Sequence, residues 1–291
     1  MNVETFNYSL ESLAPFFYLN KRNRKNIYIF PTEKEALEFY NNFSNFVPEA
    51  SHFPAWDTLS YDSFIPSLEI QGKRLQTLHN VLVSDYFDIA MSMKSFTQKI
   101  FINDLDVIDL EIRQEVDFEN LIENLAYLGY VNKDRVESRG TFSIRGGQID
   151  IYPLNSEYPA RIIFNGDEVA ELKLFDYISQ RSIKNIKKVL ITPSSELFQT
   201  NQEDIYKSLE IESKKNLDEY ELFQFSQNLK SFKTLLDFVP DGVSMNIIDF
   251  NVCKETFSEI QKTEEDSFCL LYTSDAADDT PCVDLGGRRI I

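Results

Sequence analysis

Four of the nine glycines fall in one run, Ser138–Asp176, which reads SRGTFSIRGGQIDIYPLNSEYPARIIFNGDEVAELKLFD. Glycine reaches φ > 0 at little cost, so Gly140, Gly146, Gly147 and Gly166 mark tight turns between short β-rich segments. Those segments are Thr141–Ile144, Gln148–Tyr152, Arg161–Phe164 and Val169–Phe175. In the last, Ala170, Leu172 and Leu174 alternate with Glu171 and Lys173, the period of a half-buried strand. The pattern predicts a small antiparallel meander with one wet face, and it sets two arginines, Arg145 and Arg161, into that sheet.

The rest of the chain reads as strand–helix units. Asn26–Phe30 has a buried-strand pattern and ends at Pro31. Thr32 and Glu35 then form a capping box, in which each side chain satisfies the other's backbone N–H. Leu37, Tyr40 and Phe43 follow at helical spacing. His52–Pro66 is aromatic and broken by prolines, which predicts a loop. Arg74–Leu82 is expected to be a helix with Leu75, Leu78 and Leu82 on its inner stripe and His79 on its polar flank. Phe87–Met91 predicts a short buried strand. Val116–Leu128 predicts a helix stopped by Gly129. Beyond the meander, Val189–Thr192 reads as a strand and Asn201–Leu222 as an acidic, mostly helical region. Phe232–Phe250 reads as a helix, a Pro-Asp-Gly turn and a strand.

With 291 residues the chain has room for two or three domains. Its formal charge of −18 argues against a sequence-independent grip on DNA by this chain alone. No apolar run reaches membrane-spanning length, no secretory signal opens the chain, and cysteines are few, so a cytoplasmic, membrane-free location is expected. Composition changes abruptly at Cys269. The string CLLYTSDAAD, and VDLGGRRII at the far end, match one translated frame of a transposon-based sequencing adapter. Cys269–Ile291 is therefore expected to be a non-native read-through tail on a protein cut off near Phe268. It holds four aspartates and two arginines, so the charge without it is −16.

Catalytic patterns are sparse. A P-loop needs clustered glycines to cradle phosphate, with a Lys and a Ser or Thr. No glycine precedes Gly72, and Gly-Lys-Ser/Thr does not occur. Gly146-Gly147 could cradle a phosphate but precedes a strand rather than a helix. Asp57, Asp62, Asp167 and Glu168 offer carboxylates without a compelling acid–base pair. Trp56, Tyr61 and Phe64 could stack on bases, yet without cations close by a packed aromatic loop is the better account. Cys253, Cys269 and Cys282 lack metal-ligand spacing. No catalytic, metal or cofactor site is expected. For Arg145 and Arg161 two alternatives stay open: solvent-facing residues paired with a carboxylate such as Asp150 or Glu157, or anchors for a protein partner.

Two stretches carry a family resemblance: RGTFSIRGGQIDIYP with SEYPARIIFNGDEVAELKLFDYISQRS, and HFPAWDTLSYDSFIPSLEIQGKRLQTL. They resemble the N-terminal UvrB-homology module of the transcription-repair coupling factors, over roughly Asn26 to Phe250. The long aromatic hairpin of UvrB is missing, since Tyr61-Asp62-Ser63-Phe64 runs almost directly into the following helix. The resemblance implies an α/β fold: a UvrB-like degenerate P-loop-type domain split by an inserted α+β domain that binds UvrA. The implied boundaries are 1–105 and 189–268 for the split domain, 106–188 for the insert and 269–291 for the tail. It also implies a UvrA contact through Arg145 and Arg161. An aromatic contact position of the family falls on Asn165, leaving Phe164 to supply part of the apolar contact. ATP, Mg, RNA polymerase and DNA would engage only downstream domains absent here, one of which could mask the docking face. The rivals are a UvrB-type ATP-dependent helicase subunit and an α/β enzyme using paired carboxylates.

Overall fold

The computed structural model describes residues 10–20, 25–58, 64–100, 105–196 and 233–263. The helical region expected at Asn201–Leu222 and the tail from Cys269 lie outside the described residues. In chain order, the first elements are α1 (Leu10–Asn20), β1 (Lys25–Phe30), α2 (Glu33–Phe43), β2 (Ser51–Phe53), α3 (Leu68–Val83), β3 (Phe87–Ser92), α4 (Met93–Thr97) and β4 (Lys99–Ile100). Next come β5 (Ile108–Glu111), α5 (Phe118–Tyr127), β6 (Val131–Asn132), β7 (Thr141–Ile144), β8 (Gln148–Ile151), β9 (Ala160–Asn165), β10 (Glu168–Phe175), β11 (Ser182–Asn185) and β12 (Lys188–Ile191). The last are β13 (Lys233–Thr234), a 3-10 turn at Leu235–Phe238, β14 (Ser244–Ile247) and α6 (250–263).

The fold is mixed α/β. A parallel sheet has the order β14-β1-β3-β2, so the chain leaves it after β3 and returns to pair β14 with β1. All six residues of β3 are buried, because parallel strands are covered on both faces. On one face lie Leu75, Leu78 and Val81 of α3; on the other, Phe39 and Phe43 of α2 with Leu13 and Ala14 of α1. The capping box at Thr32 forms: its Oγ1 accepts from Glu35 N at 3.3 Å, and its own N donates to Glu35 Oε2 at 3.1 Å.

Three local expectations change. Apolar residues on α2 occupy more than one stripe, and Phe39 packs against Tyr28 and Phe30, so Ala36, Phe39 and Phe43 face the sheet while Leu37 is exposed. Helix α3 starts earlier than Arg74, capped by Ser67, and buries Arg74 and Val81 but not Leu82. His52 and Phe53, expected in a loop, belong to the parallel edge strand Ser51–Phe53.

The second sheet has six strands in the order β11-β10-β9-β8-β7-β6. It is antiparallel except that β6 runs parallel to β7. One face packs against Leu121, Leu125 and Leu128 on and just after α5, which ends at Gly129 with φ +85°. A bulge between Val169 and Glu171 breaks the alternation expected along β10. Ala170 becomes the extra residue, and Val169 joins Leu172 in the core. β12 pairs antiparallel with β5, and Val189 and Ile191 pack in this same core. The boundary drawn at 188/189 therefore cuts a strand that belongs structurally with β5.

Two contacts seat this second sheet on α3. At Gly72 the helix touches the backbone of Leu154 so closely that a Cβ there would lie 2.1 Å from the Leu154 carbonyl oxygen. Beside it, Arg74 is wholly buried and donates from Nε to Glu196 Oε1 at 2.7 Å. Its other nitrogens reach the carbonyls of Pro54 and Lys99, and the guanidinium lies over the rings of Phe53 and Trp56. Trp56 Nε1 donates to the second oxygen of Glu196 at 2.7 Å. Burial pushes the Glu196 carboxyl up, and the Arg74 and Trp56 bonds oppose that shift.

Candidate docking face

Alternation along β9 sends Ala160, Ile162 and Phe164 into the core under α5, and Arg161, Ile163 and Asn165 to the opposite face. Register across the sheet then builds that face in rungs. Lys173, Arg161, Asp150 and Ser143 lie side by side on β10, β9, β8 and β7. The next rung holds Glu171, Ile163 and Gln148. Arg145 closes this rung at the hairpin tip, exchanging backbone bonds with Gln148 at 2.9 and 3.2 Å. Gly146, with φ +60°, makes that tip possible.

Arg161 is committed within the sheet. Its Nε and Nη2 each donate to an Asp150 oxygen at 2.8 Å, a bidentate pair. The guanidinium lies 4.6 Å from the Phe175 ring centroid. Its side chain is 18% exposed and that of Asp150 only 4%. Phe175, Tyr152 and Val136 form a small second cluster at this end of the face. The meander's outer face, expected to be wet, is thus partly covered at this end. The segment after β6 reaches over it, with the Asp134 carbonyl accepting from Ser143 Oγ at 3.1 Å.

Arg145 stands differently. It is exposed, its Nη2 donates to the Asp134 carbonyl at 2.8 Å, and it makes no ion pair among the described residues. Of the two carboxylate partners considered for these arginines, Asp150 serves Arg161, and neither serves Arg145. Asn165 is exposed at the β9–β10 turn. Phe164 points the other way: it is 9% exposed and meets Phe118 edge-on at 5.1 Å. The structure thus brings Arg145, Arg161 and Asn165 to one face and puts Phe164 on the other. It adds Ile163, which sequence reasoning missed, although counting by twos from Arg161 reaches it.

The remaining sequence candidates are scattered. Trp56 is buried at the α3 junction, while Phe64 is 72% exposed, so they form no common stacking platform. Tyr61 and Asp62 lie outside the described residues. Asp57 accepts from the Ser67 backbone at the start of α3. Asp167 and Glu168 are exposed at a turn. His79 is half-buried, not fully solvated, and burial lowers its pKa. His52 Nε2 lies 3.0 Å from Glu33 Oε1, a contact not anticipated. Among the described residues no group of His, Cys, Asp and Glu is arranged to hold a metal ion, and no helix is long and apolar enough to cross a membrane.

A sheet with one half-open face packs beside a parallel α/β layer, and parts of this chain are similar to known proteins. Residues 108–197 match the UvrB interaction domain. The chain is 28% identical over 175 residues to the transcription-repair-coupling factor of Escherichia coli, covering 58% of this chain and 15% of that protein. It is 30% identical over 142 residues to the transcription-repair-coupling factor of Mycobacterium bovis, covering 46% and 12%. It is 26% identical over 205 residues to the UvrABC system protein B of Thermotoga neapolitana, covering 65% and 31%. The chain is thus homologous over part of its length to transcription-repair-coupling factors and to UvrB proteins, and aligns with at most about a third of the length of these relatives.

Proposed function

We propose that this chain is the N-terminal, UvrA-recruiting module of a transcription-repair coupling factor, and that it works by docking and not by catalysis. In this reading the second sheet is an inserted domain within a degenerate nucleotide-binding layer. The parent protein would displace stalled RNA polymerase with an ATP-driven translocase carried elsewhere. The observation that carries the proposal is Arg145, an exposed guanidinium without an ion-pair partner among the described residues, at the open end of a sheet face inside the matched domain. Arginines so placed are favoured interface anchors.

The passage from β1 to α2 supports the non-catalytic part. Only Pro31 and Thr32 intervene, and Glu33 opens the helix. A helix N-terminus attracts anions, but a carboxylate in its first turn competes with a phosphate for that place. The rival, a UvrB-type ATPase subunit, needs a phosphate cradle there. ATP hydrolysis by the purified chain would favour that rival.

The test is titration of purified UvrA into the chain and its Arg145→Ala variant. Binding should weaken about tenfold or more. Unchanged binding by a folded variant would remove Arg145 from the site. Arg161→Ala makes a poor test alone, because it strands the buried Asp150 carboxylate and destabilises the sheet. The pair Arg161→Gln/Asp150→Asn avoids that charge.

A further inference from the structure

Ile163 occupies an unusual position for an aliphatic residue. It lies mid-strand on β9, yet on the face opposite the main core. It is only partly buried, and it joins neither the core under α5 nor the Val136–Tyr152–Phe175 cluster. Ile144, also partly buried, does pack into the main core. Around Ile163 the register sets Gln148 on one side and Glu171 on the other, with Arg161 and Asn165 two residues before and after it on its own strand. The two carboxylates near it are already engaged: Asp150 with Arg161, and Glu171 with Lys173. Arg145, beyond Gln148, has no carboxylate partner among the described residues.

We infer that Ile163 is the apolar contact of the docking face, in place of Phe164, and that the partner meets it with an apolar side chain flanked by a carboxylate for Arg145. This rests on the UvrA-docking reading. An apolar contact ringed by polar groups that exclude water is the usual form of an interface hot spot. Phe164 cannot take the role without leaving its packing against Phe118. Asn165 is on the right face but brings only an amide.

The experiment is UvrA titration of the full chain, comparing wild type with Ile163→Asp, Ile163→Ala, Phe164→Leu and Arg145→Ala, with far-ultraviolet circular dichroism confirming each fold. Ile163→Asp should weaken binding by tenfold or more and Ile163→Ala by severalfold, because a desolvated apolar contact is lost. Phe164→Leu should bind as wild type. If Arg145→Ala weakens binding and Ile163→Asp does not, the inference is overturned while the docking reading stands. If neither matters, or wild type does not bind, both fall. If Arg145→Ala and Phe164→Leu weaken binding while Ile163→Asp does not, the apolar contact belongs to Phe164 and the inference is overturned.

Discussion

Gly72→Ala separates an ordinary helical glycine from one demanded by the seat of the second sheet on α3. In an unobstructed helix, replacing Gly by Ala stabilises by about 0.5–1 kcal/mol. Here the new Cβ would lie 2.1 Å from Leu154 O and 2.9 Å from Asn155 N, against the 3.4 Å or more of ordinary contact. Both obstacles are backbone atoms, so neither can rotate away. Relief requires the Leu154 segment to lift by more than an ångström. That movement pulls on the Asn155 Nδ2 bond to Gln76 Oε1 and on the bonds from Ser195 and Glu196 to Gln71, at 2.7, 3.1 and 2.8 Å. Overpacking of this kind costs about 1–3 kcal/mol, which outweighs the helix gain, so net destabilisation is expected. Trp56 is the sole tryptophan and bonds Glu196 at this seat, so its fluorescence reports the junction directly. Urea titration followed by that fluorescence should show a lower midpoint and a red-shifted native spectrum. A midpoint raised by the helix-propensity amount, with an unchanged spectrum, would refute the reasoning.

Other outcomes follow from the same geometry. Arg74→Met should destabilise by about 3–5 kcal/mol, since it leaves Glu196 buried without its cation. Adding Glu196→Gln, which still accepts from Trp56, should restore much of this in a urea titration. Arg161→Ala should cost up to a similar amount, less for the partial exposure of the pair, while Arg145→Ala should change the unfolding midpoint little. Burial raises the Glu33 carboxyl, but hydrogen bonds from His52 and Ser92 outweigh it and hold the pKa below its ordinary 4.5. A carboxylate with a depressed folded pKa contributes stability that is present above the unfolded pKa and lost as pH falls through the folded one. Wild type should therefore lose stability below about pH 4.5 more steeply than Glu33→Gln, measured as unfolding midpoint against pH.

Much of this architecture was legible because local chemistry and tertiary packing agree. Glycines at Gly129, Gly146 and Gly166 sit at positive φ where turns were expected, and the Thr32 capping box forms as read. Legibility failed where tertiary contacts chose between equivalent local options. Either stripe of α2 could face a sheet, and only Phe39's fit against Tyr28 and Phe30 decides between them. Nothing local to the leucine-striped helix shows that Arg74 is buried, because its partner Glu196 lies far along the chain. The bulge at Ala170 reversed one expected facing because nothing in a single strand's alternation reveals how its partner is spaced. On the candidate face, the placement of Arg145 and Arg161 in the meander was readable, while their difference in commitment was not. That difference depends on Asp150 lying directly across from Arg161.

The most direct test of the account is hydrogen–deuterium exchange of the full chain with and without UvrA. The account predicts added protection at the open hairpin tips, Arg145–Gly147 and Asn165–Asp167, with β1 and β3 unchanged. Tips that exchange equally in both states, or protection confined to the parallel sheet, would contradict it.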